Sequence, residues 1–190
     1  MQIKDRTPWE WSSAWKTKAQ YFSWLRGQIR QIWSAYPVRT EWKNSMLRPV
    51  TPEERKQKIF HPSTKKVGQC VFCQEWFAGS KLEVDHIEET DGCYSFETAE
   101  KFLWRMAAEP TENMALVCKP CHKVKSYAER QGISFEEARV QKAVIAKEKE
   151  LGKRAKKFLL DKGYSEDETS NSAKRRSCLE KLIREEIDNE

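Results

Sequence analysis

The sequence predicts a mostly helical α+β fold with a small strand-containing centre. Three observations lead to this prediction. Long segments at both ends of the chain repeat apolar residues every three or four positions, as amphipathic helices do. Two short central segments, residues 81–86 and 114–117, have the composition of strands. Two matching Cys-x-x-Cys pairs enclose these strands, so we expect a compact, cross-linked centre with helical extensions on either side.

The first segment predicts a long amphipathic helix that Pro37 ends. Its apolar residues recur at steps of three, four and seven: Trp11, Trp15, Phe22, Leu25, Ile29, Ile32, Trp33 and Tyr36. Aromatic residues interspersed with cations can stack on nucleic-acid bases, but helical spacing favours packing against the rest of the chain. The basic residues Lys16, Arg26 and Arg30 are then the candidate DNA contacts of this segment.

Residues 37–69 predict an extended connector. The stretch contains four of the seven prolines and shows little apolar periodicity, and proline interrupts both helices and central strands. His61 lies here with no other ligand-type residue close in sequence, so we interpret it as a loop histidine. We therefore assign residues 1–67 to an aromatic, basic helical arm and its connector.

The central elements follow in the order strand, helix, strand, helix. Residues 81–86 alternate polar and apolar side chains, and residues 114–117 form a second strand. A helix is predicted at about residues 97–109. It could be an insertion that shapes the substrate site, or a small helix that packs on the core. Its apolar side favours packing on the core and consists of Phe96, Ala99, Phe102, Leu103 and Met106. Residues 120 to about 130 predict another helix, with proline in its first turn and glycine beyond its end.

Residues 132–190 predict a charged helical region. The run 134–137, Ser-Phe-Glu-Glu, resembles a capping box at a helix start. The apolar pattern that follows predicts one long helix with Gly152 as its weak point. We expect residues 164–173 to be a polar linker and residues 174–187 to form the last helix.

The net charge of +6 conceals an asymmetry along the chain. Residues 1–69 contain 14 Lys and Arg against 5 Asp and Glu, whereas residues 70–130 contain 7 against 11. An acidic centre beside a basic arm suits a site that holds cations next to a phosphate backbone. A solvated surface is the alternative explanation, because it accounts for most charge runs.

No stretch of about 18 apolar residues is present to span a bilayer. The first nine residues also lack the apolar centre of a secretory signal. We therefore expect no membrane partner and a cytoplasmic location, which would be the host cytoplasm if a phage encodes the chain. Disulfide-rich secreted scaffolds are usually short, cysteine-dense and exported, so the six cysteines favour metal binding over disulfides.

The cysteine pairs predict a structural zinc site. Thiolates two residues apart can bind one ion, and a second pair completes a tetrahedral shell. The predicted Zn²⁺ ligands are Cys70, Cys73, Cys118 and Cys121. Cys93 and Cys178 fall outside this spacing and are interpreted as plain thiols.

Taken together, these motifs resemble the HNH endonucleases. An Asp-His pair ends the first strand, and a Cys-x-x-Cys-His sequence opens the helix after the second. The matching segments are Cys70-Val71-Phe72-Cys73, Glu83-Val84-Asp85-His86-Ile87, Asn113-Met114-Ala115-Leu116-Val117-Cys118 and Cys121-His122-Lys123-Val124-Lys125. The resemblance implies a ββα-metal nuclease core at residues 68–131, about a third of the chain, here held by a four-cysteine zinc.

The resemblance also implies catalytic roles. His86 would be the general base that activates water, a role that suits imidazole because it titrates near neutrality. Asp85 and His122 would hold a divalent cation, Mg²⁺ or Mn²⁺ with Zn²⁺ or Ni²⁺ as alternatives. Asn113 would brace the loop and aim His86. The expected products carry a 5′-phosphate and a 3′-hydroxyl.

One requirement of this assignment is stereochemical. Adjacent strand residues point to opposite faces, so Asp85 and His86 face one phosphate only if the strand ends or twists there. The polar run 88–92 predicts that it ends, and we interpret its glutamates as loop charges. Lys125 lies three residues after His122 and is predicted on the same side of the helix, as a phosphate contact or a solvated lysine.

Three functions remain open at this point. The first is a metal-dependent endonuclease or nickase acting on double-stranded DNA. The second is a catalytically silent, zinc-stapled DNA-binding module, and the third is a subunit of a DNA-packaging assembly. The full set of Asp85, His86, Asn113 and His122 favours activity, because a structural zinc alone would require none of these residues.

Overall fold

The computed structural model describes residues 6–88 and 92–188, and it confirms the mostly helical α+β class. The fold is 61% helical and 11% strand, with small antiparallel sheets. The described chain forms two compact units that divide between Lys119 and Pro120. Glu89 and the rest of 89–91, where we predicted loop charges, lie outside the described residues. Among the described residues, no helix has both the length and the apolarity needed to cross a bilayer.

The first unit contains five α-helices among its described residues. These are α1 (Pro8–Trp11), α2 (Lys18–Ala35), α3 (Pro37–Ser45), α4 (Pro52–Lys56) and α5 (Phe96–Ala107). The prediction of one continuous helix up to Pro37 was therefore wrong. The chain breaks after α1, and the Thr17 side chain caps α2 by accepting a hydrogen bond from the Gln20 N–H. A Thr side chain at this position satisfies a backbone donor that the helix leaves unpaired.

The predicted extended connector at residues 37–69 was also wrong. It holds α3 and α4 and two strands, β1 (Arg48–Pro49) and β2 (Lys66–Gln69). The prolines were misread as interruptions, although proline suits the first position of a helix, where no N–H is needed. Pro37 and Pro52 each begin a helix in this way. A reciprocal capping box between Thr51 and Glu54 fixes the start of α4.

Two antiparallel sheets form the centre of the first unit. The first has the order β1-β2-β3, with β3 at Trp76–Ala78. The second pairs β4 (Leu82–His86) with β5 (Met114–Cys118), which confirms both predicted strands. The lack of a side chain at Gly68 lets the side chains of Leu82 and Leu47 pack directly against the backbone of β2. A Cβ at Gly68 would lie 2.9 Å from the Leu82 side chain and 2.6 Å from that of Leu47.

Packing between α2 and α5 forms a core of the first unit. Its buried members are Phe22, Ile29, Cys93, Ala99, Phe102 and Met106. The predicted inward faces of both helices are thus largely present. Trp11 and Ile32 depart from the prediction, with 71% and 41% of their surface exposed, and Leu103 is exposed on α5. The buried faces of α2 and α5 are therefore narrower than the apolar spacing in the sequence indicates.

The remaining helices are α6 (Lys119–Gln131), which begins at the division between the units, α7 (Phe135–Leu151), α8 (Ala155–Asp161) and α9 (Ser172–Asp188). The Ser134 side chain caps α7 by accepting from the Glu137 N–H, which is one half of the predicted capping box. Gly152 adopts a positive φ of 51°, which favours glycine, and separates α7 from α8. The core of the second unit consists of Val140, Val144, Leu151, Ala155, Leu159, Cys178, Leu179 and Ile183.

The segment predicted as a polar linker, residues 164–173, is more ordered than expected. Thr169 is fully buried, and its hydroxyl lies within hydrogen-bonding distance of the backbone carbonyls of Ser165 and Glu166. The Tyr164 hydroxyl donates to the Cys178 carbonyl. Helix α9 starts at Ser172, two residues earlier than predicted.

Candidate functional site

The first cysteine pair lies in the tight turn between β2 and β3. The Cys70 N–H donates to the Glu75 carbonyl, and the Gln74 N–H donates to the Cys70 carbonyl, each at 3.0 Å. Gln74 has a positive φ of 59°, which reverses the chain direction within a few residues. The turn therefore brings Gln74 and Glu75, the residues after Cys73, back beside Cys70.

The second pair spans the end of β5 and the start of α6. Cys118 is the last residue of β5 and pairs with Leu82 in the sheet, while Cys121 lies in the first turn of α6. The Cys118 N–H donates to the Cys70 Sγ at 3.4 Å. A strand that runs directly into a helix thus places two sulfur atoms about one helical turn apart.

The structure brings the four predicted thiol ligands together. The sulfur atoms of Cys70, Cys73, Cys118 and Cys121 all lie within 4.8 Å of one another. A tetrahedral zinc with Zn–S bonds of about 2.3 Å separates its sulfurs by about 3.8 Å. The four-cysteine cluster can therefore hold one metal ion, and an all-thiolate donor set is of the type that structural zinc takes.

The backbone around Cys70 favours the thiolate that a metal needs. Burial by itself would raise the pKa of this thiol. The N–H groups of Cys118, Cys73 and Phe72, together with the Cys73 side chain, outweigh burial and lower the pKa to about 7. By contrast, burial raises the pKa of Cys93. Hydrogen bonds to the charged form are the physical cause of this difference.

His86 is buried, which the sequence did not predict. It ends β4 on the same face as Leu82 and Val84, and only 6% of its surface is exposed. Its ring stacks on Trp33 with a centroid separation of 4.2 Å. The strand ends at His86 as predicted, but its pairing stays regular through that residue, so Asp85 leaves from the opposite face. The expectation that ending the strand would turn both side chains to one side was wrong.

One ring nitrogen of His86 lies beside a backbone acceptor. Nε2 lies 3.1 Å from the Arg105 carbonyl oxygen. A carbonyl oxygen can only accept a hydrogen bond, so this contact favours the tautomer that carries the hydrogen on Nε2. In the neutral ring Nδ1 is then unprotonated, and it is the nitrogen that can accept a proton.

Asn113 braces the loop that follows β4. Its side-chain oxygen accepts from the Glu88 N–H, and its backbone carbonyl accepts from the Ile87 N–H, both at 2.8 Å. Its amide nitrogen donates to Glu109. These are hydrogen bonds of the kind that the resemblance implies, while a role in aiming His86 remains a prediction.

The two residues expected to hold a catalytic cation lie on different elements. Asp85 is half-buried on β4, opposite Ala115 of β5. His122 is half-buried in the first turn of α6, directly after Cys121. Their shared role as cation ligands remains a prediction from the motif.

Sequence reasoning missed Glu109, which follows the end of α5. Glu109 is 2% exposed, and its carboxylate contacts Arg105, Asn113 and His86. The pKa of Arg105 is raised, first by the charge of Glu109. The spacing of four residues between Arg105 and Glu109 was a signal for the ion pair. Nothing in the sequence indicated that the pair would lie beside His86.

A second missed group lies on α3, in the supposed connector. The Arg39 guanidinium lies 5.4 Å from the centroid of Trp33, the residue that stacks on His86. Burial lowers the pKa of Arg39, and the nearby Glu83 carboxylate opposes this shift. Lys43, one turn later, donates to the Leu82 carbonyl at 2.6 Å. Helix α3 thus places two cations close to β4.

The predicted DNA contacts have different surroundings. Lys16 and Arg30 are exposed, while Arg26 is half-buried in a groove with Phe22 and Tyr94. The prediction of Lys125 as a solvated lysine was wrong, because its side chain is 14% exposed and pairs with Glu129 at 2.8 Å. Any phosphate contact by Lys125 would compete with this ion pair. His61 is exposed and hydrogen-bonded to Ser63, as a loop histidine would be.

Comparisons with protein-family models, with curated proteins and with solved structures gave no match for this chain. The likeness to HNH endonucleases therefore rests on the motifs and their order along the chain.

Proposed function

We propose that this chain is a metal-dependent DNA endonuclease or nickase of the HNH type. The observation that carries the proposal is the contact of His86 Nε2 with the Arg105 carbonyl at 3.1 Å, which favours the tautomer with Nδ1 as the proton acceptor. His86 stands at the end of a strand, in the motif position of the general base. The motif order around it adds support, because a zinc site alone would not require Asp85, Asn113 and His122.

The proposed reaction is hydrolysis of a phosphodiester bond. A water oxygen attacks phosphorus while its proton moves to His86 Nδ1, and the bond from phosphorus to the 3′ oxygen breaks. The departing 3′ oxygen takes a proton from a second water, so the products carry a 5′-phosphate and a 3′-hydroxyl. Asn113 keeps the loop after β4 in place through its contact with Glu88. The ring of His86 is held by Trp33 stacking and by the Arg105 carbonyl.

Asp85 and His122 are the proposed ligands of the catalytic cation. When bound, such a cation would neutralise charge on the phosphate and on the departing oxygen. Carboxylate oxygen suits Mg²⁺ and Mn²⁺, whereas imidazole nitrogen also suits Zn²⁺ and Ni²⁺. Mn²⁺ accepts both donor types and is therefore the most useful probe. Zn²⁺ is the proposed occupant of the four-cysteine cluster, where it would contribute folding free energy.

Double-stranded DNA is the proposed partner. The basic excess lies in residues 1–69, outside the acidic centre, which suits attraction of a phosphate backbone by the arm. Lys16 and Arg30 are exposed and offer unburied cations for this contact. Arg26 adds a third cation on the same helix as Arg30.

The burial of His86 favours a second candidate function. In that alternative, His86 is a core residue packed under Trp33, and the chain is a catalytically silent, zinc-stapled DNA-binding module. The 6% exposure of His86 and the placement of Asp85 on the opposite strand face are the observations in its favour. Binding of DNA without cleavage would then be the whole activity.

Cleavage of supercoiled plasmid with added Mg²⁺ or Mn²⁺, and with EDTA as control, separates the two candidates. The nuclease proposal predicts nicked or linear product that EDTA abolishes and that His86→Ala reduces by at least about 100-fold. His61→Ala is the matched control, because His61 is an exposed loop histidine. Wild-type cleavage by His86→Ala would reject His86 as the base. DNA binding without metal-dependent cleavage by the wild type would support the silent module.

A further inference from the structure

Glu109 is a buried carboxylate for which the motif offers no role. Its side chain is 1% exposed. Removing a carboxylate from water is strongly unfavourable unless other groups compensate it. Because carboxylates are seldom buried without a structural or functional reason, the contacts of Glu109 indicate what it does.

The two carboxylate oxygens of Glu109 face different partners. Oε1 accepts hydrogen bonds from the Arg105 guanidinium, at 3.1 Å, and from the Asn113 amide. Oε2 lies 3.9 Å from His86 Nε2. Two donors thus fix the orientation of the carboxylate, and its second oxygen is directed towards the imidazole.

Arg105 joins the same arrangement through two separate groups. Its backbone carbonyl accepts the hydrogen of His86 Nε2, while its guanidinium pairs with Glu109. The guanidinium also contacts Glu88 at 3.3 Å, close to the loop that Asn113 braces. The end of α5 therefore supplies both the acceptor for the imidazole and the cation that holds the carboxylate.

We propose that Glu109 is a positioning residue for His86, an inference that rests on the proposed nuclease function. Its negative charge near Nε2 stabilises the proton on that nitrogen and so keeps Nδ1 as the acceptor. The same charge offsets the positive charge that the ring gains when Nδ1 takes a proton from water. Glu109 itself does not contact the substrate.

The first test measures the tautomer and does not depend on cleavage. The chain has three histidines, so nitrogen NMR of the imidazoles can be assigned with His61→Ala and His86→Ala. The wild type should show His86 protonated at Nε2 when neutral, and Glu109→Gln should show a mixture of tautomers or a broadened signal. A wild-type His86 signal in Glu109→Gln would overturn the proposal.

The second test measures kinetics on plasmid DNA. Glu109→Gln should lower kcat by at least about 10-fold with KM within about twofold of wild type. Glu109→Asp keeps the charge and should recover part of kcat, whereas Glu112→Gln should have no effect, because Glu112 is exposed in the adjacent turn. Unchanged kcat in Glu109→Gln, or a change in KM alone, would contradict a positioning role.

The two tests distinguish failure of the inference from failure of the proposed function. Zinc content and melting temperature show whether each variant is folded. If Glu109→Gln is not, Glu109→Asp becomes the test, because its shorter side chain moves the carboxylate away from Nε2 and should leave kcat below that of the wild type with KM unchanged; a wild-type kcat would then overturn the proposal. If wild type and His86→Ala cleave equally, the nuclease mechanism fails and the tautomer measurement alone decides whether Glu109 positions the ring. If His86→Ala is inactive but Glu109→Gln is fully active, only the inference about Glu109 fails.

Discussion

The four-cysteine cluster and the surroundings of His86 were predicted from motifs of equal clarity, but only one of them has the expected arrangement. The four sulfur atoms lie within 4.8 Å of one another, as a metal site requires. His86 instead lies beneath Trp33, and Asp85 leaves the strand from the opposite face. Cys118 ends β5 and His86 ends its partner β4, so the β4–β5 pair contributes to both sites and does not by itself explain the difference.

The difference lies in how far along the chain the deciding residues are. The first cysteine pair is held by a turn of a few residues with its own backbone hydrogen bonds, and the second spans the end of a strand and the helix that follows it directly. The environment of His86 depends on Trp33 and Arg105, which are remote from it in sequence. A motif therefore specifies a local ligand pair well and the burial of a single side chain poorly.

Loss of a cluster ligand should have the largest effect on the fold. A structural zinc contributes on the order of 10 kcal/mol of folding free energy, so Cys70→Ser should lower the free energy of unfolding by several kcal/mol and release zinc. Bound zinc and denaturant unfolding measure both quantities. Cys93→Ser is the control, because Cys93 is a buried thiol outside the cluster, and it should keep full zinc content. Full zinc and an unchanged unfolding curve in Cys70→Ser would refute the four-thiolate shell.

Thiol reactivity should separate the cluster from the lone cysteines. In metal-free protein, the Cys70 thiolate forms as pH rises through about 7, whereas burial raises the pKa of Cys93 above its ordinary value. Cys70 and Cys93 are both buried, so burial does not distinguish them, and near pH 7 alkylation of Cys70 should be more than about 10-fold faster than that of Cys93. Because the pKa of Cys70 is lowered by folding, the stability it adds is present above its ordinary pKa of 9.0 and is lost as pH falls through about 7.

Peptide mass spectrometry of alkylated protein measures this contrast. Half-maximal Cys70 labelling should fall near pH 7 while Cys93 stays protected. Equal labelling of the two residues would show that the backbone does not hold the cluster in the absence of metal.

Charge reversal on α2 and the segment before it should weaken DNA binding without altering either site. Each lost phosphate contact lowers the slope of log affinity against log salt by about 0.9, so Lys16→Glu, Arg26→Glu and Arg30→Glu together should flatten the slope by up to about three times this amount. Fluorescence anisotropy with a short duplex measures the slope. The matched control reverses three exposed lysines of the second unit, Lys149, Lys153 and Lys157. An equal change of slope in the control would show that the DNA-binding surface is not specific to the N-terminal arm.

The smallest expected effect concerns the cover of His86. Trp33→Leu removes the ring stack and should cost about 1 kcal/mol of unfolding free energy, since aromatic pairs contribute about 0.5–1.5 kcal/mol beyond burial. It should also speed chemical modification of His86 by diethyl pyrocarbonate, while zinc content stays unchanged. Trp104→Leu is the control, because Trp104 is 63% exposed. Unaltered His86 modification in Trp33→Leu would show that Trp33 does not limit access.

The success of sequence reasoning varied along the chain in the same way. The strands Leu82–His86 and Met114–Cys118 and the helix Lys119–Gln131 were predicted because their periodicity and end signals agree. The break between α1 and α2 was missed, because apolar spacing continues across it. Helix α3 was missed because Pro37 was interpreted only as an end signal. The role of Glu109 could not be predicted, since its burial depends on tertiary packing.

Calorimetric titration of Mn²⁺ into zinc-loaded protein tests most directly whether the chain carries a second, oxygen- and nitrogen-based metal site beside its thiolate cluster. The account predicts that the wild type binds one Mn²⁺, that Asp85→Asn weakens binding by at least about 10-fold, and that Glu75→Gln, an exposed carboxylate between the strands of the first cysteine turn, leaves it unchanged. No Mn²⁺ binding by the wild type, or equal binding by Asp85→Asn, would contradict it.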